Sequence, residues 1–112
     1  MPGEIIVLVT SPRTESEKLA KLLVEERLAA CVNIMPSVRS IYLWDGNLCD
    51  ENEDLLIIKS TSSVWEELST RIGELHSYDV PEIIAIPIQL GAPSYLNWLN
   101  DSVKPAGVSE KG

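Results

Sequence analysis

The sequence predicts an α+β domain in the order strand, helix, strand, strand, helix, strand, closed by a short C-terminal helix. Three observations carry that prediction. Apolar runs at Ile5–Val9, Leu55–Ile58 and Ile83–Ile88 read as buried strands. Two stretches with apolar residues at helical spacing lie between strand-like segments, one after Ser11-Pro12 and one after Ser63. Asp45-Gly46, flanked by strand-like sequence, is a two-residue hairpin turn. The βαββαβ order is that of a ferredoxin-like sandwich with sheet order 4-1-3-2. The second and fourth strands are then the edges, and Pro36 and Pro87 fall on them, where a missing N–H is tolerated.

Taken in order, the first strand runs from Glu4 to Thr10 and is stopped by Ser11-Pro12. Thr14-Glu15-Ser16-Glu17 reads as a capping box, a hydroxyl three residues before a carboxylate. The helix behind it carries Leu19, Leu22, Leu23 and Ala30 on one stripe, with Lys18, Lys21, Glu25 and Arg27 off it. A long strand follows from Cys31 to Trp44, interrupted at Pro36, and returns through Asp45-Gly46 to Ser60. Ser63-Val64-Trp65-Glu66 is a second capping box, opening a helix through Val64, Leu68, Ile72 and Leu75. The fourth strand spans Glu82 to Leu90, and Gly91-Ala92-Pro93 breaks it. Tyr95, Leu96, Trp98 and Leu99 lie on a short amphipathic helix, and Trp65 and Trp98 are expected in the core. Residues 1–103 form one domain, and 104–112 read as a flexible polar tail.

The apolar runs also predict an assembly. A sheet with one wet face alternates apolar and polar residues, and these strands do not. Two helices cover one face of such a sheet, so the other needs a partner, and a second copy of the chain is the simplest one. The hairpin points the same way, since fourteen extended residues reach about 45 Å and overshoot a small domain. The same register places Cys49 opposite Tyr42 and leaves Cys31 about 35 Å along the strand, beyond the ~7 Å that a disulfide spans.

Composition narrows the function. The chain has 112 residues and a net charge of −8, which argues against a nucleic-acid partner. It has no run of about 18 apolar residues, so no membrane-spanning helix is expected. Met1-Pro2-Gly3-Glu4 leads into strand sequence without a basic, then apolar, leader, which predicts a cytoplasmic protein. With one histidine, no GxSxG elbow and six isolated glycines, neither a serine triad nor a phosphate loop is predicted. A Cys31–His76 dyad is the remaining route to catalysis, and a non-enzymatic protein is the expectation.

Three motifs recur in a characteristic order: Leu28-Ala29-Ala30-Cys31-Val32-Asn33-Ile34, Tyr42-Leu43-Trp44-Asp45-Gly46, and His76-Ser77-Tyr78-Asp79-Val80-Pro81-Glu82 running into Ile83–Ile88. Together they resemble the CutA family, the divalent-cation tolerance proteins, from about Ile5 to about Leu99. The resemblance implies a homotrimer with sheets facing inward, similar in architecture to PII-type signalling proteins. It also implies a role in divalent-cation tolerance with copper, or another divalent cation, as candidate ligand at His76. In some CutA proteins a histidine just before this position and a cysteine late in the first strand join it. The matching residues here are Leu75 and Val9.

Two further groups are candidates. The acidic residues Asp45, Asp50, Glu51, Glu53 and Asp54 near the hairpin tip are expected as a solvated face. Lys59, Tyr78 and Glu82 sit at strand ends and in a turn, and are candidates for a cleft between subunits that takes a small ligand. A Lys59–Glu82 ion pair is the plain alternative for two of them.

Overall fold

The fold is described for residues 3–107 of a computed structural model. Four strands form one antiparallel sheet: β1 (Glu4–Ser11), β2 (Cys31–Trp44), β3 (Asn47–Thr61) and β4 (Ile83–Pro87), in the order β2-β3-β1-β4. Helices α1 (Arg13–Glu25), α2 (Trp65–Leu75) and α3 (Pro93–Ser102) complete the predicted order, with a single 3-10 turn, Ser62–Val64, before α2.

Residues paired across antiparallel strands share a face, which sorts the apolar runs. Ile5, Val7 and Val9 of β1 line up with Leu56 and Ile58 of β3 in the buried core, where Leu19 and Leu23 of α1 and Leu68 and Ile72 of α2 join them. Leu99 of α3 and Val103 after it complete that core. The opposite face carries Ile6 and Leu8 beside Ile57 and Leu55, flanked by Met35, Ile84 and Ile86 at the edges. Those last three are 52%, 50% and 47% exposed. Half of the sheet's apolar side chains therefore lie on a face that the helix-side core does not use.

Both expected capping boxes give way to other arrangements. α1 begins at Arg13 with Pro12 at its N-cap, so Thr14 is already inside the helix. Ser16 instead donates to Oδ2 of Asp54 at 2.5 Å, within the protein. Ser63 is taken into the 3-10 turn, where its hydroxyl meets that of Thr61 at 3.0 Å, and α2 starts two residues later. Ala30 is not on the α1 stripe, because the helix ends first. Arg27 adopts a left-handed φ of 60° and closes a Schellman motif, with Leu28 N–H bonded to Leu23 O and Arg27 N–H to Val24 O. Ala30 is buried in the connection, its N–H bonded to Lys59 O.

Arg27 does more than end α1. Its side chain donates to the carbonyl oxygens of Asp101 and Ser102, and its own carbonyl accepts from the Lys104 N–H. Lys104 is 5% exposed and its ammonium reaches Glu67 at 2.6 Å. Lys104, expected to open a flexible tail, is thus held against Arg27 and Glu67, and 108–112 fall outside the described residues. Trp98 is 47% exposed rather than in the core. β4 ends at Pro87, short of Leu90, although the Ile88 N–H still bonds the Glu4 carbonyl oxygen at 2.9 Å.

The hairpin follows its prediction closely. Asp45 and Gly46 both have positive φ, 52° and 76°, as a type I′ turn requires. Pro36 sits in a bulge between Met35 and Val38, with Ser37 left-handed beside it. β1 ends opposite Asp54, so Asn47–Glu53 project past it with β2 as their one paired strand. The radius of gyration, 14.7 Å, exceeds the roughly 13 Å of a compact chain this long, and the long dimension is 43 Å.

Candidate functional site

The overhanging arm and the loop between α2 and β4 enclose a cleft of about 690 Å³ at the end of β1. Strand alternation builds one wall. Tyr42 and Trp44 of β2 share a face with Glu51 and Glu53 of β3, the face that continues the open side of the sheet. The other wall is the loop, with Tyr78, Asp79 and Glu82, and Thr10 lies between the two.

His76 fixes the loop. Its ring is 8% exposed, and both ring nitrogens are engaged. Nε2–H donates to the Thr10 carbonyl oxygen at 2.7 Å, while Nδ1 accepts the Tyr78 N–H at 3.1 Å. The ring of this candidate cation ligand is thus turned inward, toward the end of β1. Tyr78 packs against it, ring centroids 4.7 Å apart, and reaches Oε1 of Glu53 with its hydroxyl at 3.0 Å.

Glu53 and Asp54, expected on a solvated face, are 4% and 5% exposed. Glu53 is covered by Tyr78, and Asp54 holds Ser16 across the start of α1. Nearer the tip, Asp50 takes both arms of Arg39, which hold its carboxyl below the usual range. The sequence signal for the buried pair was their position within the strand, directly before Leu55–Ile58, rather than in the turn.

Two of the three cleft candidates come together. Tyr78 and Glu82 line the cleft, whereas Lys59 does not. Lys59 lies opposite Ile6 and binds Oδ1 of Asn33, while Glu82 directly precedes Ile83, opposite Val9. β1 runs between them, so the Lys59–Glu82 pair gives way to Lys59–Asn33. Cys31 and Cys49 are free thiols; Cys49 faces Tyr42, as the register predicted, and Cys31 faces Lys59, beyond the bulge between Met35 and Val38.

Burial and neighbouring carboxylates set the electrostatics. Burial first, then the bond to Glu53, pushes the Tyr78 phenol well above its ordinary value. Tyr42 is raised by partial burial and by the charge of Glu51. Neither phenol ionises near neutral pH. The cleft lining carries four carboxylates and no basic side chain. Among the described residues no three His, Cys, Asp or Glu side chains converge closely enough to share a metal ion. Val9 and Leu75 belong to the core or pack against it.

Residues 5–102 match the family model described as "CutA1 divalent ion tolerance protein". The chain belongs to the CutA1 family. It is 48% identical over 100 residues to the divalent-cation tolerance protein CutA of Thermus thermophilus, covering 88% of this chain and 97% of that one. A solved structure from that organism superposes with a TM-score of 0.87 at 46% identity, covering 90% and 99% of the two chains. The chloroplastic protein CutA of Arabidopsis thaliana is 48% identical over 89% of this chain, which spans 56% of its length. A structure titled PII-like protein CutA, from Nostoc sp. PCC 7120, superposes with a TM-score of 0.86 at 37% identity, covering 90% and 98%. The ferredoxin-like CutA1 fold is thereby established, with likeness to a PII-like protein. No described helix is long and apolar enough to cross a membrane.

Proposed function

We propose that this CutA1 family member works as a non-enzymatic homotrimer in divalent-cation tolerance. The supporting observation is the second apolar face of the sheet, Ile6, Leu8, Leu55 and Ile57 with Met35, Ile84 and Ile86 beside them. At about 25 cal/mol per Å² of apolar surface removed from water, burying such a face against further copies is strongly favourable. The overhanging hairpin supplies an arm long enough to reach a neighbour.

The test is complementation. Cells lacking the protein are challenged with copper and zinc salts and supplied with wild type or with Ile57→Asp/Ile86→Asp. Rescue by wild type alone supports the reading, and no rescue by either overturns it. The same cells, fractionated, test the cytoplasmic location, since the Arabidopsis relative is named chloroplastic and an Archaeoglobus fulgidus neighbour is titled periplasmic.

Copper capture at His76 is the metal form of this reading. It requires the ring to exchange one of its two hydrogen bonds for the ion, and His76 has no histidine or cysteine partner at Leu75 or Val9. Copper titration of wild type against His76→Ala tests it directly, and identical isotherms end it.

A second reading is a trimeric signalling or scaffold protein that takes a small ligand in clefts between subunits. It is supported by the 690 Å³ cleft on the margin of the face that assembly would cover, and by the neighbour titled PII-like. A thermal-shift screen of nucleotides, small anions and amines checks it. Stabilisation by none of them contradicts it.

A further inference from the structure

The cleft has a chemical bias that names its ligand class. Its ring-bearing walls come from Tyr42, Trp44 and Tyr78, and its charge from Glu51, Glu53, Asp79 and Glu82. We propose that the cleft binds a small organic cation carrying two or more ammonium groups, of the diamine or polyamine class. This deepens the subunit-cleft reading above and rests on it for there being a ligand at all.

Three observations favour an organic cation over the alternatives. An anionic ligand meets four carboxylates and no lysine, arginine or free histidine nitrogen. A bare metal ion needs oxygens gathered around one point at 2.0–2.6 Å, and no such group of three exists among the described residues. The carboxylates are instead distributed around a space of about 690 Å³, within the range of small-molecule pockets. Charges spread over that distance suit ammonium groups separated by a methylene chain. The rings between them suit both parts of such a molecule, since aromatic faces attract cations and pack against CH₂ groups.

The acids are not equivalent. Glu53 is already bonded to the Tyr78 hydroxyl and buried, so it serves as a fixed background charge. Glu51, Asp79 and Glu82 are exposed and free to pair with the ligand. Trp44, half-exposed on the wall, provides a fluorescence reporter.

The test titrates spermidine into the wild-type protein at constant ionic strength, read by tryptophan fluorescence and calorimetry, with ATP and magnesium chloride as parallel arms. Saturable spermidine binding is expected, with magnesium at equal charge concentration displacing little of it. Glu51→Gln/Glu82→Gln, both at exposed positions, is expected to weaken it by about tenfold or more with unchanged circular dichroism. Trp44→Leu is the second variant and is expected to weaken binding without altering net charge. Spermidine binding that magnesium displaces equally, or that both variants leave intact, overturns the inference. If ATP binds and spermidine does not, the inference falls and the cleft reading stands. If none of the three binds, both fall.

Discussion

His76 donates its Nε2 hydrogen to the carbonyl oxygen of Thr10 at 2.7 Å, so the first residue after α2 is bolted to the end of β1. The other ring nitrogen accepts the Tyr78 N–H and shapes the loop that walls the cleft. Replacing His76 by alanine leaves the part-buried Tyr78 amide and Thr10 carbonyl to find other partners, at a cost of about 1–3 kcal/mol. A lower urea midpoint for His76→Ala at fixed protein concentration is expected. An unchanged midpoint contradicts the bolt.

Tyr78→Phe removes the partner of Glu53, whose carboxylate is almost fully buried. Leaving that acceptor unpaired costs about 1–3 kcal/mol. Because the phenylalanine keeps the ring against His76, the loss is assigned to the hydroxyl. Glu53→Gln in the same background is expected to recover part of it, since a neutral amide is cheaper to bury. Equal midpoints for wild type and Tyr78→Phe would sink this account of the loop.

The tyrosines report burial through their titration. All three phenols are raised, each by burial first. A raised folded value means a stabilising contribution that is complete below the unfolded value of 10.0 and is lost as pH climbs through the folded one. Absorbance near 295 nm should therefore rise later in native than in urea-unfolded protein, and Tyr78→Phe should remove the latest component. Superposable native and unfolded curves contradict the prediction.

Glu26 is held below the ordinary carboxylate value by two hydrogen bonds from Arg71 of α2. A depressed folded value gives stability that is full above the unfolded value of 4.5 and is lost as pH falls through the folded one. Glu26→Gln should thus be less stable than wild type at pH 7, and the gap should close on the acid side of pH 4.5. Denaturation at several pH values checks this. A gap independent of pH rules the ion pair out as its source.

Arg27 separates two effects that usually travel together. Its left-handed φ costs about 1–2 kcal/mol in a residue with a Cβ, and its guanidinium holds the last carbonyls of α3. Arg27→Ala loses the clamp and keeps the strain, whereas Arg27→Gly loses the clamp and the strain. The glycine variant should therefore be the more stable of the two, by about 1 kcal/mol. The reverse order contradicts the backbone argument.

Much of the architecture was legible because period and punctuation agree. Ile5–Val9 and Leu55–Ile58 could only be central strands, and Asp45-Gly46 set the register that puts Cys49 opposite Tyr42. The helix starts were less legible. Thr14 and Ser63 have capping chemistry, but Pro12 caps α1 two residues earlier than Thr14 would, and the 3-10 turn absorbs Ser63. The cleft was half legible. Tyr78 and Glu82 are close in sequence and stay close, but their opposite wall comes from a hairpin more than twenty residues away. Lys59 does not line this chain's own cleft, because a strand-end position does not say which side of β1 it occupies. Nothing local announces that His76 turns inward, since its partner is the carbonyl of Thr10, 66 positions earlier.

The idea beneath all of this is that the second apolar face of the sheet is covered by copies of the same chain. Light scattering coupled to size-exclusion chromatography measures that directly on dilute, folded protein. Three chains of 12.4 kDa give a predicted mass of about 37 kDa, reduced toward the single-chain value by Ile57→Asp/Ile86→Asp. A mass of 12.4 kDa for the folded wild-type protein contradicts the account.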